Sequence, residues 1–474
     1  MNIPALQFLS GLLTLSSQPV YLVGGSVRDL LIGLPDIKDI DILIPSGSEN
    51  TARVFAESIN GSFFFLDEAR RITRVVKQHD GETLQFDFTN FEGPDLAADL
   101  GRRDFTVNAM AIDLRHFLQD RSLDAAIDLV QGREDVKNRL IRIVKPAVLD
   151  EDPLRLLRAV RFAATLGFTI EAETAEQIRA RANLLTKPSP ERVRDEFFQI
   201  LSQRGAEGHL TLMDSLGLLS RLLPELDTLT GFSPGMYHRY DVRTHSIKTA
   251  GYVDSVLDDL PKIVPEYAHL VLDHLDGQLE NLVLRKGALR FACLLHDIAK
   301  PQTYSRDEDG RIHFYNHDSL GAEKAKEVCR RLRLSRDTET AVTAVIKQHM
   351  RLFNLSAPGG PSRNAMYRYC RDLKAALPES LILAQADARA TFEIMPPEKF
   401  ADTEKPMAAV LEYYYEKFTK AQARPLLTGH DLIERGLKPG PRFREILDDV
   451  KERQAAGTLK DREEALAYLA TFIK

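Results

Sequence analysis

The sequence predicts a multidomain protein with a small α/β head followed by a long all-α body. Its 474 residues are too many for one hydrophobic core. From about 1 to 146, strand patterns alternate with helix patterns. From 147 onward apolar residues recur at helical spacing and no strand pattern returns.

The elements follow in order. Leu6 to Leu15 reads as a first helix, because the N-terminus carries neither a basic leader nor a cleavage signal. Residues 20–23 (VYLV) read as a buried strand, and SVRDLLIG as a helix stopped by Gly33. KDIDILIP is a period-two strand ended by Pro45, and LQFDFTNF is another. FTVNAMAIDL reads as a buried strand. DPLRLLRAVRFAATLGF is a helix ended by Gly167. SPERVRDEFFQIL begins with Ser189 as cap and Pro190 at the first helical position. Loop-like breaks fall near 228–236, 301–316, 354–363 and 424–442.

Composition narrows the function. Apolar residues make up 44% of the chain, enough for sizeable cores. The formal net charge is −6, so an RNA-binding surface must be a local patch. Cys293, Cys329 and Cys370 form no CxxC pair, which suits a reduced, cytoplasmic protein. No apolar run approaches the ~20 residues that span a bilayer.

The densest motif is GGSVRDLLIGLPDIKDID, residues 24–41. A strand delivers the chain to Gly24 and Gly25, where backbone can approach a ligand closely. A helix starts at once, and helix N-termini attract phosphate. Asp39 and Asp41 follow at i and i+2 on a strand, which puts both carboxylates on one sheet face. Two such carboxylates beside a phosphate cradle can hold Mg²⁺ for in-line nucleotidyl transfer. Asp87 in LQFDF reads equally as a third metal carboxylate or an exposed acid. Arg102, Arg103 and Asp104 read as a salt-bridge cluster or as contacts to ribose and phosphate. Asp152 and Arg155 are i, i+3 neighbours on a helix, and Arg158 and Arg161 continue their stripe.

In this order and spacing the motifs resemble the class II tRNA nucleotidyltransferase and bacterial poly(A) polymerase family of the polymerase-beta superfamily, from about 20 to 205. The resemblance implies a nucleotidyltransferase head over 1–146, a helical neck over 147–205 and a helical linker over 206–237. It makes Asp39 and Asp41 the catalytic metal ligands and implies Mg²⁺ there. Gly24, Gly25 and Arg28 would hold the triphosphate. Arg102, Arg103 and Asp104 match the ribose-recognition motif, with Asn108 just beyond, and Arg158 and Arg161 would add nucleotide contacts. Asp128, Gly132 and Arg142 match a pattern tied to domain movement. Glu151, Asp152 and Arg155 match the amino-acid template, and Glu191 and Arg192 the last neck motif. The implied reaction is attack of an RNA 3′-hydroxyl on the α-phosphate of CTP or ATP, with loss of pyrophosphate. The template has a physical basis. Cytosine and adenine each offer an amino donor beside a ring-nitrogen acceptor, and uracil and guanine offer the reverse. A carboxylate that only accepts and a guanidinium that only donates therefore select C and A.

The histidines form a second series: His245, His296–Asp297, His317 and His349, followed by Asp387. His296–Asp297 ends an apolar helix in ALRFACLLHDIAKP, and metal coordination would compensate a buried polar pair. The series resembles the HD phosphohydrolase superfamily, and an HD domain is assigned to 238–395. The resemblance makes His245, His296, Asp297 and Asp387 the metal ligands, with His317, His349 and Lys300 as further site residues. It implies a divalent metal (Mg, Mn or Ni) and action on phosphomonoesters or 2′,3′-cyclic phosphates. Residues 396–474 form a helical tail in which Arg424, Lys438 and Arg442 surround Gly436 and Gly440. They read as a contact to the tRNA elbow or as plain helix-turn-helix surface.

The expected partners are tRNA, through its 3′ end and acceptor arm, with ATP and CTP. No membrane and no protein partner is implied. Two other readings share these motifs: a poly(A) polymerase, and an HD phosphohydrolase with a non-catalytic RNA-binding head. Within the first reading, residues 63–82 depart from the loop expected of a full CCA-adding enzyme. Addition of the whole CCA, of CC only or of A only all stay open, and this departure makes A alone a real alternative.

Overall fold

A computed structural model describes residues 5–34, 37–233, 240–356, 360–391 and 401–472. The chain forms two compact units, Met1–Pro188 with Leu216–Arg221, and Ser189–Ser215 with Leu222–Lys474. The expected boundaries at 237/238 and 395/396, and parts of the breaks near 228–236 and 354–363, lie outside the described residues.

The first unit holds a seven-stranded sheet: β1 (Tyr21–Val23), β2 (Asp39–Ile44), β3 (Ser62–Asp67), β4 (Ile72–His79), β5 (Glu82–Asn90), β6 (Met110–Asp113) and β7 (Ile127–Asp128). The strand order is β3-β4-β5-β2-β1-β6-β7, and β2 and β5 are its parallel pair. Alternation makes the sheet two-faced. Ile40, Ile42, Val75, Leu84, Phe86 and Phe88 are buried on one face. Helices Leu6–Leu15 and Ser48–Ile59 bring aromatic rings to it, with Phe8 and Phe55 lying 6.4 and 5.1 Å from Phe86. The other face carries Asp39, Asp41, Arg74 and Asp87.

Several expected elements are present. Gly33 and Gly167 close their helices in the left-handed conformation, at φ 80° and 66°. Pro190 opens its helix with Ser189 as cap. Other elements differ. Residues 62–79, to which the sequence reading assigns no strand, form the hairpin β3–β4, in which FFFLD and ITRVVKQH pair antiparallel. Within FTVNAMAIDL only Met110–Asp113 is strand. Thr106–Asn108 is a 3₁₀ turn instead, closed by Asn108 N–H to Phe105 O at 2.9 Å. Strands also do not vanish after 147. The break near 301–316 contains the hairpin Tyr304–Arg306 with Ile312–Phe314, and Gln278–Glu280 pairs with Val283–Leu284. The break near 424–442 contains helix Gly429–Glu434, begun by a Thr428–Asp431 capping box.

The second unit is otherwise helical among its described residues. Helices Val242–Ile263, Arg285–Leu295, His317–Arg331, Arg336–Gln348 and Leu377–Thr391 form its centre. A satellite core of Leu427, Leu432, Ile446, Val450 and Leu469 holds the C-terminal helices.

Gly132 opens helix Gly132–Asn138, and a Cβ there would lie 2.3 Å from the Thr106 carbonyl oxygen. Gly132→Ala should therefore destabilise the head by about 1–3 kcal/mol, as overpacking does. The readout is the urea midpoint, and an unchanged midpoint contradicts the close approach.

Candidate active site and metal centre

The parallel register of β2 and β5 sets Asp41 directly opposite Asp87, with Asp39 two residues away on the same face. Arg74, opposite Asp87 on β4, grips that carboxylate with both arms of its guanidinium at 2.6 and 2.7 Å. Asp41 accepts the Gly25 N–H at 3.1 Å. Ser26 ties helix to strand, its hydroxyl accepting the Asp41 N–H at 2.7 Å. Gly24 has φ 65°, and a Cβ on it would lie 3.0 Å from both Asp41 Oδ2 and Arg103 Nη1. Only glycine leaves that approach open. Burial pushes the Asp41 carboxyl up to about 6 against the pull of Arg103. Burial likewise raises Asp39 against the pull of Arg74. Clustered, partly desolvated carboxylate oxygens are the donor set that a hard divalent cation relieves. Asp39 and Asp41 fit such an ion, while Asp87 is already paired by Arg74.

Around this spot runs a chain of charged hydrogen bonds. Arg28 donates to Asp29 at 2.8 Å and to Asn108 Oδ1 at 2.6 Å. Asn108 donates to Asp104 at 3.2 Å. Asp104 also takes both Nε and Nη2 of Arg158, at 2.9 and 2.6 Å. Burial would raise its carboxyl, but Arg158 reverses the sign and holds it below the usual range. Asp104 thus positions Arg158 as well as Asn108. Arg161 lies over the Phe162 ring, 4.1 Å from its centroid. Arg103 is held by Asp99, which accepts from its Nε and Nη2 at 3.2 and 3.1 Å.

Asp152, Arg155, Glu151, Arg102, Glu92 and Arg70 line one cleft of about 350 Å³. A second cleft of about 390 Å³ shares Arg70, Glu92, Arg102 and Arg155 and reaches Asp99 and Arg103. The two clefts share Arg155, and Arg103 in the second also approaches Gly24. Arg155 is braced by the carbonyls of Val148 and Arg102, at 3.0 and 3.1 Å. Asp128 accepts the backbone N–H groups of Val130, Gly132 and Arg133. Arg142 pairs with Asp135 and Glu171. Glu191 and Arg192 stand in the first turn of helix Pro190–Leu201, in the other unit. In the tail, Arg442 donates to the Phe472 carbonyl at 3.0 Å.

The sequence reading missed Arg74, Asp99 and Arg70. Asp99 had a signal, the i, i+4 spacing to Arg103. Arg74 had none without the strand register.

In the second unit the histidine series converges. His245 Nε2 lies 3.0 Å from Asp387 Oδ1, and His296 Nε2 3.2 Å from Asp297 Oδ2. His317 and His349 face each other through Nε2 at 3.2 Å. Lys300 reaches Asp297 at 2.6 Å. Each of His296, His317 and His349 gives its Nδ1 proton to a carbonyl three residues earlier: Cys293, Phe314 and Ile346, at 2.8, 2.7 and 2.7 Å. That fixes the rings with Nε2 inward, the arrangement of metal-binding imidazoles. The inward atoms form two groups, His245–His296–Asp297 and Asp297–His317–His349. His296 Nε2 and both Asp297 oxygens are buried without a hydrogen bond of good geometry. Burial opposes charge on His296, but Asp297 and Asp387 outweigh it and push the imidazole up to about 10. Burial pushes His349 down to about 4. Asp297 and Asp387 are held well below the usual carboxylate range by their histidines, against burial. Orphaned buried donors of this kind fit a divalent cation.

Comparison with known proteins agrees. Residues 20–142 match the poly A polymerase head domain, 167–229 the probable RNA and SrmB-binding site of polymerase A, and 242–391 the HD domain. The A-adding tRNA nucleotidyltransferase of Deinococcus radiodurans is 36% identical, over 94% of each chain. The chain belongs to the tRNA nucleotidyltransferase family. The CC-adding enzyme of Thermus thermophilus is 32% identical over 94% of this chain and 92% of its own. The fold is shared with the Thermotoga maritima CCA-adding enzyme complexed with tRNA (TM-score 0.59, 21% identity, covering 99% and 95%). It is shared too with the Bacillus stearothermophilus enzyme in complex with CTP (TM-score 0.61, 23% identity, covering 99% and 96%). The chain is accordingly a nucleotidyltransferase with a divalent-metal requirement, an α/β head and an HD body. No described helix is long and apolar enough to cross a membrane.

Asp99→Asn keeps the shape but removes the charge that holds Arg103 beside Gly24. A hydrogen bond to a charged group contributes about 1.5–3 kcal/mol, so kcat/KM for the nucleotide should fall roughly 10- to 100-fold. Steady-state kinetics with an unchanged melting temperature tests this, and wild-type kinetics would free Arg103 of any dependence on Asp99.

Proposed function

We propose that the protein adds A to the 3′ end of tRNA, completing a terminus that already carries CC. The observation that carries the nucleotidyl-transfer reading is the pairing of Asp39 and Asp41 on one sheet face beside Gly24, Gly25 and Arg103, with Arg155 shared between the cleft at Asp152 and the cleft at Arg103. The base edge would meet Asp152 and Arg155, which accept and donate as C and A require. The triphosphate would lie along Gly24, Gly25, Arg28 and Arg103, and the ribose near Asp104 and Asn108. Asp39 and Asp41 would hold Mg²⁺, which when bound supplies charge neutralisation and hydroxyl activation. A tRNA substrate supports a cytoplasmic location. The choice of A over CC is supported by the 36% identity to an A-adding enzyme, against 32% to a CC-adding one.

The test uses pure protein, Mg²⁺, one labelled nucleotide at a time and tRNA lacking 0, 1, 2 or 3 terminal nucleotides. A should enter only tRNA ending in CC, and neither U nor G should enter. Asp152→Ala should lower kcat/KM for ATP roughly 10- to 100-fold, the effect of one lost partner to a buried polar group. Incorporation of C without A would remove the A-adding reading, and long A tails on arbitrary RNA would favour a poly(A) polymerase.

We further propose that the HD centre is a phosphohydrolase. The buried, inward-facing imidazole and carboxylate cluster around Asp297 supports this. His245, His296, Asp297 and Asp387 would hold the metal, and His317, His349 and Lys300 would complete the site. With Mg, Mn or Ni the protein should open a 2′,3′-cyclic nucleotide to its monophosphate. Asp297→Ala should abolish this and leave A incorporation near wild type. Inertness with all three metals would leave the centre a structural role.

A further inference from the structure

The sheet face that carries the acidic residues does not end at Arg74. Register continues it outward. Asp41 lies opposite Asp87, Asp87 opposite Arg74, and Arg74 opposite Phe64 on β3. Residues directly opposite one another share a face. One row therefore runs from a candidate metal carboxylate to the edge of the sheet. Its last member is aromatic and open: Phe64 is 42% exposed, and Leu66, next along the strand, 45%.

The other side of β3 is held in place. Phe63 and Phe65 meet edge to face at 5.5 Å. The Arg53 guanidinium, from helix Ser48–Ile59, lies over both rings at 4.2 and 5.7 Å. With those two rings engaged by the helix, alternation turns Phe64 and Leu66 to the opposite face. An open ring on an edge strand invites pairing with another chain, and sheet edges ordinarily carry charge instead.

Two observations tie this ring to nucleotidyl transfer. Ile72 stands two residues before Arg74 on β4, on the same face, and it lines the cleft that holds Arg103 and Arg155. Outward apolar side chains of the hairpin therefore border that cleft. The second observation is strand order. β5, β4 and β3 lie on one side of β2, and β1 lies on the other. Gly24, Gly25 and Arg28, which would hold the triphosphate, follow β1. Transfer in line sets the attacking oxygen opposite the leaving one. A leaving pyrophosphate on the β1 side requires a hydroxyl arriving from the β5 side, where Phe64 stands. Asp87 would repel an RNA backbone on that path, but Arg74 neutralises it.

We propose that Phe64, with Leu66, is the platform on which the last bases of the tRNA acceptor strand stack while the 3′-hydroxyl is held at the metal. It rests on the reading of Asp39 and Asp41 as metal ligands. Three strand spacings separate Asp41 from Phe64, about 14 Å along the row, a span for the terminal one or two nucleotides. Stacking on an aromatic ring accepts any base. The platform thus positions the acceptor and leaves choice of the incoming nucleotide to Asp152 and Arg155. A second copy of this chain seated on the β3 edge would instead obstruct the acidic face.

The test compares full-length wild type, Phe64→Ala and Phe64→Tyr on the truncated tRNA that wild type extends best. Phe64→Ala should raise KM for tRNA at least about tenfold, the order of a lost base–aromatic stack, and leave KM for ATP and the melting temperature unchanged. Phe64→Tyr, which keeps the ring, should restore the wild-type KM. Transfer RNA carrying 5-iodocytidine at either of its last two positions should crosslink to Phe64 on irradiation, read by mass spectrometry. An unchanged KM for tRNA in Phe64→Ala, an equal rise in Phe64→Tyr, or crosslinks confined to other residues would each overturn the proposal. So would dimers in wild type that Phe64→Ala dissociates without a kinetic change, which would make the edge an interface between copies. Asp41→Ala separates the two readings. If it still extends tRNA, the metal assignment falls and the platform with it. If it is inactive while Phe64→Ala keeps the wild-type KM, the platform alone falls.

Discussion

The head is organised around an unfavourable arrangement of charge. Parallel pairing of β2 and β5 forces Asp41 and Asp87 side by side, and the period of two adds Asp39. Carboxylates so close repel one another and lose water. The fold answers with cations placed by other elements: Arg74 on Asp87, Arg103 near Asp41, Arg28 from the helix that follows Gly24. These are not enough, since burial still pushes Asp41 up to about 6. On the proposed reading a bound divalent cation would offset that penalty. Asp99 and Asn108 belong to this arrangement although neither points at the metal-binding carboxylates. They keep the guanidinium groups aimed.

The HD centre reaches a similar end by another route. Here the ligands come from five segments of chain, and no register aligns them. What aligns them is the helix terminus. His296 and His349 each cap a helix, and His317 begins one. At these ends an Nδ1 proton meets a carbonyl three residues back, so backbone geometry orients each ring. Asp297 belongs to both ligand groups. Removing it would leave His245, His296, His317 and His349 facing one another without a common carboxylate.

Legibility from sequence followed the range of the interaction. Asp39 and Asp41 were readable because two residues fix a face, and Gly24 and Gly25 because backbone approach needs glycine. Helix stops at Gly33 and Gly167 were local too. The strands β3 and β4 were missed. FFFL is an unbroken apolar run with no period-two signal, and the alternation in ITRVVKQH gains meaning only beside β5. The 3₁₀ turn Thr106–Asn108 was read as strand because β-branched Thr106 and Val107 run into the apolar stretch that is strand. What it serves is the contact between Asn108 and Arg28, eighty residues apart in the chain. Asp87 shows the limit most clearly. Its two readings were equal on sequence, and Arg74, two strand positions from nothing recognisable, decides that it is ion-paired.

One consequence concerns selection of A. Asp152 and Arg155 read the pairing edge, and that edge offers the same donor and acceptor in cytosine and adenine. They are blind to ring size. On the proposed reading, whatever separates the two must come from the walls of the cleft, Arg70, Glu92 and Arg102. Glu92 and Arg102 are 3.9 Å apart and belong to segments tied to the sheet through Asp99. Arg70 differs. It sits at the turn of the β3–β4 hairpin, 63% exposed by its side chain, with its guanidinium 3.9 Å from Asp67 and its backbone N–H on the same carboxylate at 3.0 Å. Arg71 beside it is at φ 53°, so the turn is tight and its direction set by backbone. A hairpin on the sheet edge can shift its tip without disturbing the carboxylates of β2 and β5. On that reading, chemistry and base-edge recognition would rest on different residues from those that bound the volume offered to the base. That separation allows closely related chains to keep one catalytic apparatus and differ in which nucleotide they add.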